Sequence, residues 1–395
     1  MRLVLRGAGR LVTCDPGRGD GPLDVIEDGA LVAEDGRISW VGRERDLRPP
    51  AGPVDVEIDA AGRAVLPGLV ECHTHLVFAG DRSAEFAARM RGEPYRAGGI
   101  RTTVAATRAA STDELRALAV ARLRRFRSFG VTTVEVKTGY GLDAPHEARL
   151  LDVAAGLDGA VPTLLAAHVV PAEFVDRPDE YVDVACSEIV PAGRGRARFC
   201  DAWCEPDGAF TAEQARRVLE AGLAAGLPPK VHADQLGHGG GSALAAELGA
   251  VSADHLEHVT PEDAGALARA GTVAVLMPGA SMMTGAPFAP ARMLIERGVR
   301  VALSTDFNPG TSYSENLQLQ VALGCAVLRM TPEEALLAVT RHAAAALGAE
   351  RRCGRLAPGL DCDLLVLDSR SEVDLAYHYG VDLAGTVVAR GEVVT

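Results

Sequence analysis

Lysine is almost missing from this 395-residue chain: it occurs only at Lys137 and Lys230, and no run of basic residues exists. With a net charge of −13 as well, nucleic acid and anionic membranes are poor partners. Long apolar runs are also absent. None reaches the ~20 residues that span a bilayer, and no charged segment followed by an apolar one opens the chain, so a cytoplasmic location is expected. Cysteine is sparse and scattered, with eight residues at positions 14, 72, 186, 200, 204, 325, 353 and 362. That is not the density of a disulfide-stapled secreted domain. Cys200 and Cys204 lie four apart in RFCDAWCE, but no second pair lies nearby to complete a zinc knuckle. Alternation along a strand would instead put both on one core face.

What is present is ordinary globular composition, 48% hydrophobic and 24% charged, which excludes wholesale disorder. The length suits a barrel of about 250 residues with a smaller appendage. Residues 1 to 65 read as short β pieces around Leu3–Leu5, Ala30–Val32, Arg37–Val41 and Val56–Ile58, separated by turn signals such as Glu34-Asp35-Gly36. The far C-terminus has the same texture at Asp363–Leu367, Gly385–Ala389 and Glu392–Val394. Neither end has enough apolar surface to stand alone. Residues 1–65 plus 352–395 are therefore expected to form one small β-sandwich domain.

From Leu66 the pattern changes to apolar runs alternating with amphipathic segments, and residues 66–351 are expected to form a (β/α)8 TIM-like barrel. The eight strand candidates are Gly68–His75, Val131–Lys137, Val161–His168, Ala197–Glu205, Pro229–Ala233, Ala250–Ala253, Thr272–Met277 and Val299–Ser304. Most are continuously hydrophobic, as parallel strands covered on both faces should be. Helices are expected at Asp113–Phe129, Ala212–Ala225, Pro261–Ala270, Pro290–Gly298, Glu315–Arg329 and Pro332–Leu347. Capping signals precede three of them, at Ser111, Thr211 and Thr260. Residues 77 to 110 read as a long loop, a length usually reserved for function or disorder.

In such a barrel the chemistry sits at the strand C-termini, and five of the ten histidines fall there: His73, His75, His168, His232 and His255. His73 and His75 share one face of an extended segment. His73, His75, His232 and the strand-eight residue Asp306 make a mixed nitrogen and oxygen set suited to a zinc-like ion. A turn role ahead of Asn308-Pro309-Gly310 is also open to Asp306. A bound divalent ion can lower the pKa of water from 15.7 to about 7. Asp306 is then placed to take that proton and His255 to stabilise charge growing on an attacked carbonyl. His146, His238, His258, His342 and His378 are left unassigned.

The motifs PGLVECHTHLVFAGDR, GGIRTTVAATRAAS, EVKTGYGLD, KVHADQL, SADHLEH, STDFNPGT and LAPGLDCDLLVLD span almost the whole chain. Through them the sequence resembles the metal-dependent amidohydrolase superfamily and, within it, the imidazolonepropionase family. The resemblance implies hydrolysis of 4-imidazolone-5-propanoate to N-formimidoyl-L-glutamate in histidine degradation, by a homodimer. It implies one zinc or iron ion on His73, His75, His232 and Asp306, with His255 catalytic. It also implies substrate contacts from Arg82, Tyr95, Tyr140, His168 and Asn308. Where some relatives carry a proton-moving Glu, this chain has Gln235, an amide that only hydrogen-bonds. Proton transfer then falls to Asp306 and His255, with Gln235 orienting the ring. Lys137 invites comparison with carbamylated-lysine binuclear members, but the resemblance implies a mononuclear site in which it is structural. The alternatives are another mononuclear amidohydrolase, acting on a cyclic amide or deaminating a heterocycle, and a non-catalytic barrel scaffold.

Overall fold

The computed structural model describes residues 1–48, 52–93, 99–205 and 209–395. Packing divides the chain into two compact units. One is Met1–Cys72 with Arg124–Thr133 and Asn316–Thr395, and the other is His73–Leu123 with Val134–Glu315.

Strands from both chain ends form one mixed eight-stranded sheet. At its centre, Arg2–Val12 pairs antiparallel with Val25–Glu34 and parallel with Val56–Asp59 and Ala64–Pro67. Val25–Glu34 continues antiparallel into Arg37–Arg43 through Asp35 and Gly36, at φ 48° and 78°. Positive φ at both central residues is what a tight hairpin requires, and Asp-Gly supplies it cheaply. The C-terminal strand Leu364–Leu367 pairs antiparallel with Ala64–Pro67, then with Ala384–Ala389. Leu3, Leu5 and Leu31 from one end and Leu364, Val366 and Val388 from the other share one hydrophobic core. That shared core is why neither terminus needs to be stable by itself.

The second sheet is the barrel, eight strands in sequence order: Leu69–Glu71, Val131–Lys137, Ala160–Ala167, Phe199–Cys204, Pro229–Ala233, Ser252–His255, Val273–Leu276 and Val301–Leu303. The second to eighth are paired parallel. Between the eighth and the first, Thr74 and Phe307 form a parallel bridge. There the His75 N–H donates to the Phe307 carbonyl at 2.9 Å and Ser304 Oγ to the His73 carbonyl at 3.0 Å.

Several expected boundaries move, each for a physical reason. The apolar run at Leu66 splits at Gly68: Ala64–Pro67 belongs to the terminal sheet and Leu69–Glu71 to the barrel. A Cβ on Gly68 would lie 2.4 Å from Thr132 Oγ1, so only glycine fits there. The sixth strand is Ser252–His255 and not Ala250–Ala253: the buried Asp254 pairs with His73 and Lys137, and Ser252 Oγ donates to Asp254 Oδ1 within the strand. The stretch expected as a loop carries two helices, Ser83–Met90 and Ile100–Ala109. The helix expected over Pro332–Leu347 is two, Pro332–Ala338 and Arg341–Ala346. Between them Thr340 takes φ −128° and ψ −98°, which is not helical, and the Val339 carbonyl accepts from Val70 N–H at 2.9 Å. Caps form at Ser111, Thr211 and Thr260, the last two as full capping boxes. Among the described residues, no helix is long and apolar enough to cross a membrane.

Candidate active site

Every side chain considered in this site belongs to the second compact unit. His73 and His75 leave the first barrel strand and His232 sits in the fifth, and all three offer nitrogens within 4.8 Å of one another. Ring centroids of His73 and His232 are 4.5 Å apart. Asp306 Oδ1 lies 3.6 Å from His73 Nε2 and 3.9 Å from His75 Nε2. Burial, followed by neighbouring positive charge, holds all three imidazoles well below the ordinary histidine pKa, so they are neutral and able to donate lone pairs.

The outer nitrogens of two rings are occupied. Asp254 Oδ2 meets His73 Nδ1 at 2.7 Å, and Asp201 Oδ1 meets His232 Nδ1 at 3.1 Å. A carboxylate on Nδ1 sets the tautomer that turns Nε2 toward a metal. His232 Nε2 is buried with no hydrogen-bond partner, a costly state for a ring nitrogen unless a cation completes it. The donor set of three imidazoles and one carboxylate thus fits a single divalent ion.

His255 and Asp306 stand on left-handed backbone, at φ 83° and 52°. Such residues persist only where surroundings over-determine them. Around Asp306 the determinant is Asn308. Its Oδ1 accepts from the N–H groups of Gly310 and Thr311, each at 2.8 Å, while its Nδ2 donates to the Asp306 carbonyl at 2.6 Å. Thr311 Oγ1 then donates to Asp306 Oδ2 at 3.1 Å. The turn role open to this segment is therefore built by Asn308. Burial pushes Asp306 up to about 6, opposed by charge at His255. For His255, burial acts downward, but the carboxylates of Glu257, 3.9 Å from its Nδ1, and of Asp306 and Asp254 together raise the pKa.

One cavity collects His75, Arg82, Tyr140, His168, Trp203, His232, Gln235, His255, Asp306 and Asn308 on its walls. His168 is fixed by its Nδ1 against the Gly139 carbonyl at 2.9 Å, and burial lowers its pKa to about 4. Tyr140 rides on a turn whose Gly139, Gly141 and Leu142 N–H groups all donate to the buried Glu147 carboxylate. Arg82 is buried and its Nε and Nη2 donate to Glu85 at 2.8 and 2.6 Å. Gln235 is held through its backbone N–H on Glu205 Oε2 at 3.0 Å. Tyr95 lies outside the described residues. The sequence reading overlooked Asp201, Asp254, Glu257, Glu147 and Trp203. Alternation within FCDAWC and SADH marks Asp201 and Asp254 as same-face partners of strand-end groups, but carboxylates inside apolar strands carry no signal of whom they pair with.

Comparison with known proteins agrees with this architecture. The amidohydrolase family model matches residues 96–395. The chain is 51% identical over 394 residues to the imidazolonepropionase of Salinispora arenicola, covering 98% of both chains. It is 49% identical to that of Streptomyces coelicolor over 389 residues, 98% of each, and 47% identical to that of Mycolicibacterium smegmatis over 392 residues, 99% of this chain and 97% of the relative. In fold it is similar to the zinc complex of atrazine chlorohydrolase from Arthrobacter aurescens TC1 (TM-score 0.71, 20% identity, 99% of this chain and 94% of that one). It is likewise similar to a zinc-bound adenosine deaminase from Xanthomonas campestris (TM-score 0.72, 19% identity, 99% and 92%). A parallel barrel ringed by imidazoles, matched nearly end to end at about half identity, places the chain in the imidazolonepropionase family of the metal-dependent amidohydrolases.

Proposed function

We propose that this chain hydrolyses the ring amide of 4-imidazolone-5-propanoate to N-formimidoyl-L-glutamate, in the cytoplasm and as a homodimer. Residues 66–351 are the hydrolase barrel in this reading, and 1–65 with 352–395 the small domain. His73, His75, His232 and Asp306 would hold one ion, zinc in preference to iron. Such an ion supplies a Lewis acid that brings the pKa of water toward neutrality.

The chain's own residues do the rest. Asp306, whose carboxylate stands 3.6 Å from His73 Nε2 and 3.9 Å from His75 Nε2, accepts a proton from the attacking water. It returns that proton to the ring nitrogen as the carbon–nitrogen bond breaks. His255, with Glu257 3.9 Å from its Nδ1, stabilises charge on the carbonyl oxygen. Gln235 orients the ring. Arg82 meets the propionate, and Tyr140, His168 and Asn308 complete the contacts. Tyr95 is assigned there too, on the family resemblance alone.

The observation that supports this reading most is the meeting, in one buried cavity, of an imidazole and carboxylate cluster with an arginine suited to a carboxylate tail. Loss of ring absorbance on incubating zinc-loaded protein with imidazolone propionate is the expected result. No turnover by protein carrying one equivalent of zinc would overturn it.

A further inference from the structure

Lys137 ends the second barrel strand and is wholly buried. Its ammonium lies 2.6 Å from Asp201 Oδ2, 3.2 Å from Asp254 Oδ2 and 3.3 Å from Glu135 Oε2. Asp201 and Asp254 are the same carboxylates that hold the outer nitrogens of His232 and His73. We propose that Lys137 is a positioning residue of the metal centre, a single ammonium that clamps both carboxylates and so sets the mutual angle of His73 and His232. This deepens the metal-site reading above and rests on it.

The topology favours a clamp over an incidental ion pair. The two imidazoles come from the first-strand end and the fifth strand, and the two carboxylates from the sixth and fourth. Among the described residues no backbone ladder joins the first strand directly to the fifth, so their side chains need a common reference. Lys137 provides it from the second strand, where its own N–H donates to the Thr74 carbonyl between the two ligating histidines at 2.8 Å. Two imidazoles must each point a lone pair at one atom about 2.0–2.1 Å away. A carboxylate free to swing would let its ring turn. Glu135, the third carboxylate, makes a different set of contacts: Lys230 Nζ at 2.7 Å and Thr163 Oγ1 at 2.5 Å. It therefore serves as an internal control.

The test is zinc affinity, measured by competition with a chromogenic chelator, together with the visible spectrum of the cobalt-substituted protein. Lys137→Met is expected to weaken zinc binding about 10–100-fold, the usual cost of losing an outer partner of a metal ligand, and to change the cobalt bands. Because that variant leaves buried carboxylates unbalanced, the double variant Lys137→Met with Glu135→Gln is measured beside it. It keeps the charge balanced and both histidine-holding carboxylates intact, and the same loss is expected. Glu135→Gln alone should bind zinc as the parent does. A folded Lys137 variant with parental zinc affinity and cobalt spectrum would overturn the proposal. So would failure of both Lys137 variants to fold, which would assign the lysine to stability. A parent that binds no zinc would remove the metal-site reading itself, independently of Lys137.

Discussion

Asp306 combines a left-handed backbone, a buried carboxylate and a place beside two imidazoles. Asp306→Asn keeps the shape and the acceptor for Thr311 but cannot move a proton. Turnover of imidazolone propionate is expected to fall about 10²–10⁴-fold, the usual weight of a positioned acid–base group, with the circular dichroism spectrum unchanged. A near-parental rate would contradict the proton role. Arg82 differs, since its guanidinium stands at the cavity wall with one edge engaged by Glu85. Arg82→Ala removes a charge-assisted contact of about 1.5–3 kcal/mol, so KM should rise roughly 10–100-fold while kcat changes less. An unchanged KM would withdraw its assignment to the propionate.

Among the elements, the helix Ala212–Ala224 begins with a complete capping box in which Thr211 and Gln214 serve each other's backbone N–H. Thr211→Ala should cost about 1 kcal/mol in urea denaturation, since one N-terminal donor loses its acceptor. The terminal sheet carries a pH-sensitive group at Asp363, which burial pushes up to about 6 and the Arg390 N–H partly offsets. The folded state therefore binds this proton more tightly than the unfolded chain does. Stability from Asp363 is present at low pH and declines as pH rises from about 4 through 6. Asp363→Asn keeps an acceptor for Arg390, so it should stabilise the fold at pH 8 by at most about 3 kcal/mol, read as a raised Tm, and leave Tm unchanged at pH 4. Equal shifts at both pH values would show that folding does not raise the Asp363 pKa.

At the scale of the molecule, a ligand that binds only the folded state stabilises it by mass action, about 4 kcal/mol at a thousandfold excess over Kd. Removing zinc with a chelator should lower the Tm of the parent, and readdition should restore it. His232→Ala protein should show little response to either. The barrel strands, the two-ended sheet and the strand-end histidines were legible in the chain because each depends on local signals: apolar runs, Asp-Gly turns, caps and HxH spacing. The helices between Val77 and Ala110 were not, since IRTTVAATRA carries β-branched residues that read against a helix until packing decides. The bounds of the short polar sixth strand were set too early in the chain for a related reason, as its Asp254 is tolerable only beside Lys137 and His73.

By itself the amino-acid order determined which segments become strands, where several helices begin and which side chains arrive at one rim, because those follow from periodicity and capping within a few residues. Only the tertiary structure decided who holds whom. That Asp254 belongs to His73, Asp201 to His232 and Lys137 to both carboxylates is a matter of strands far apart in sequence closing on one another. Inside a dry barrel an unpaired charge is intolerable, so the pairing is fixed by distance in space, which no local pattern encodes.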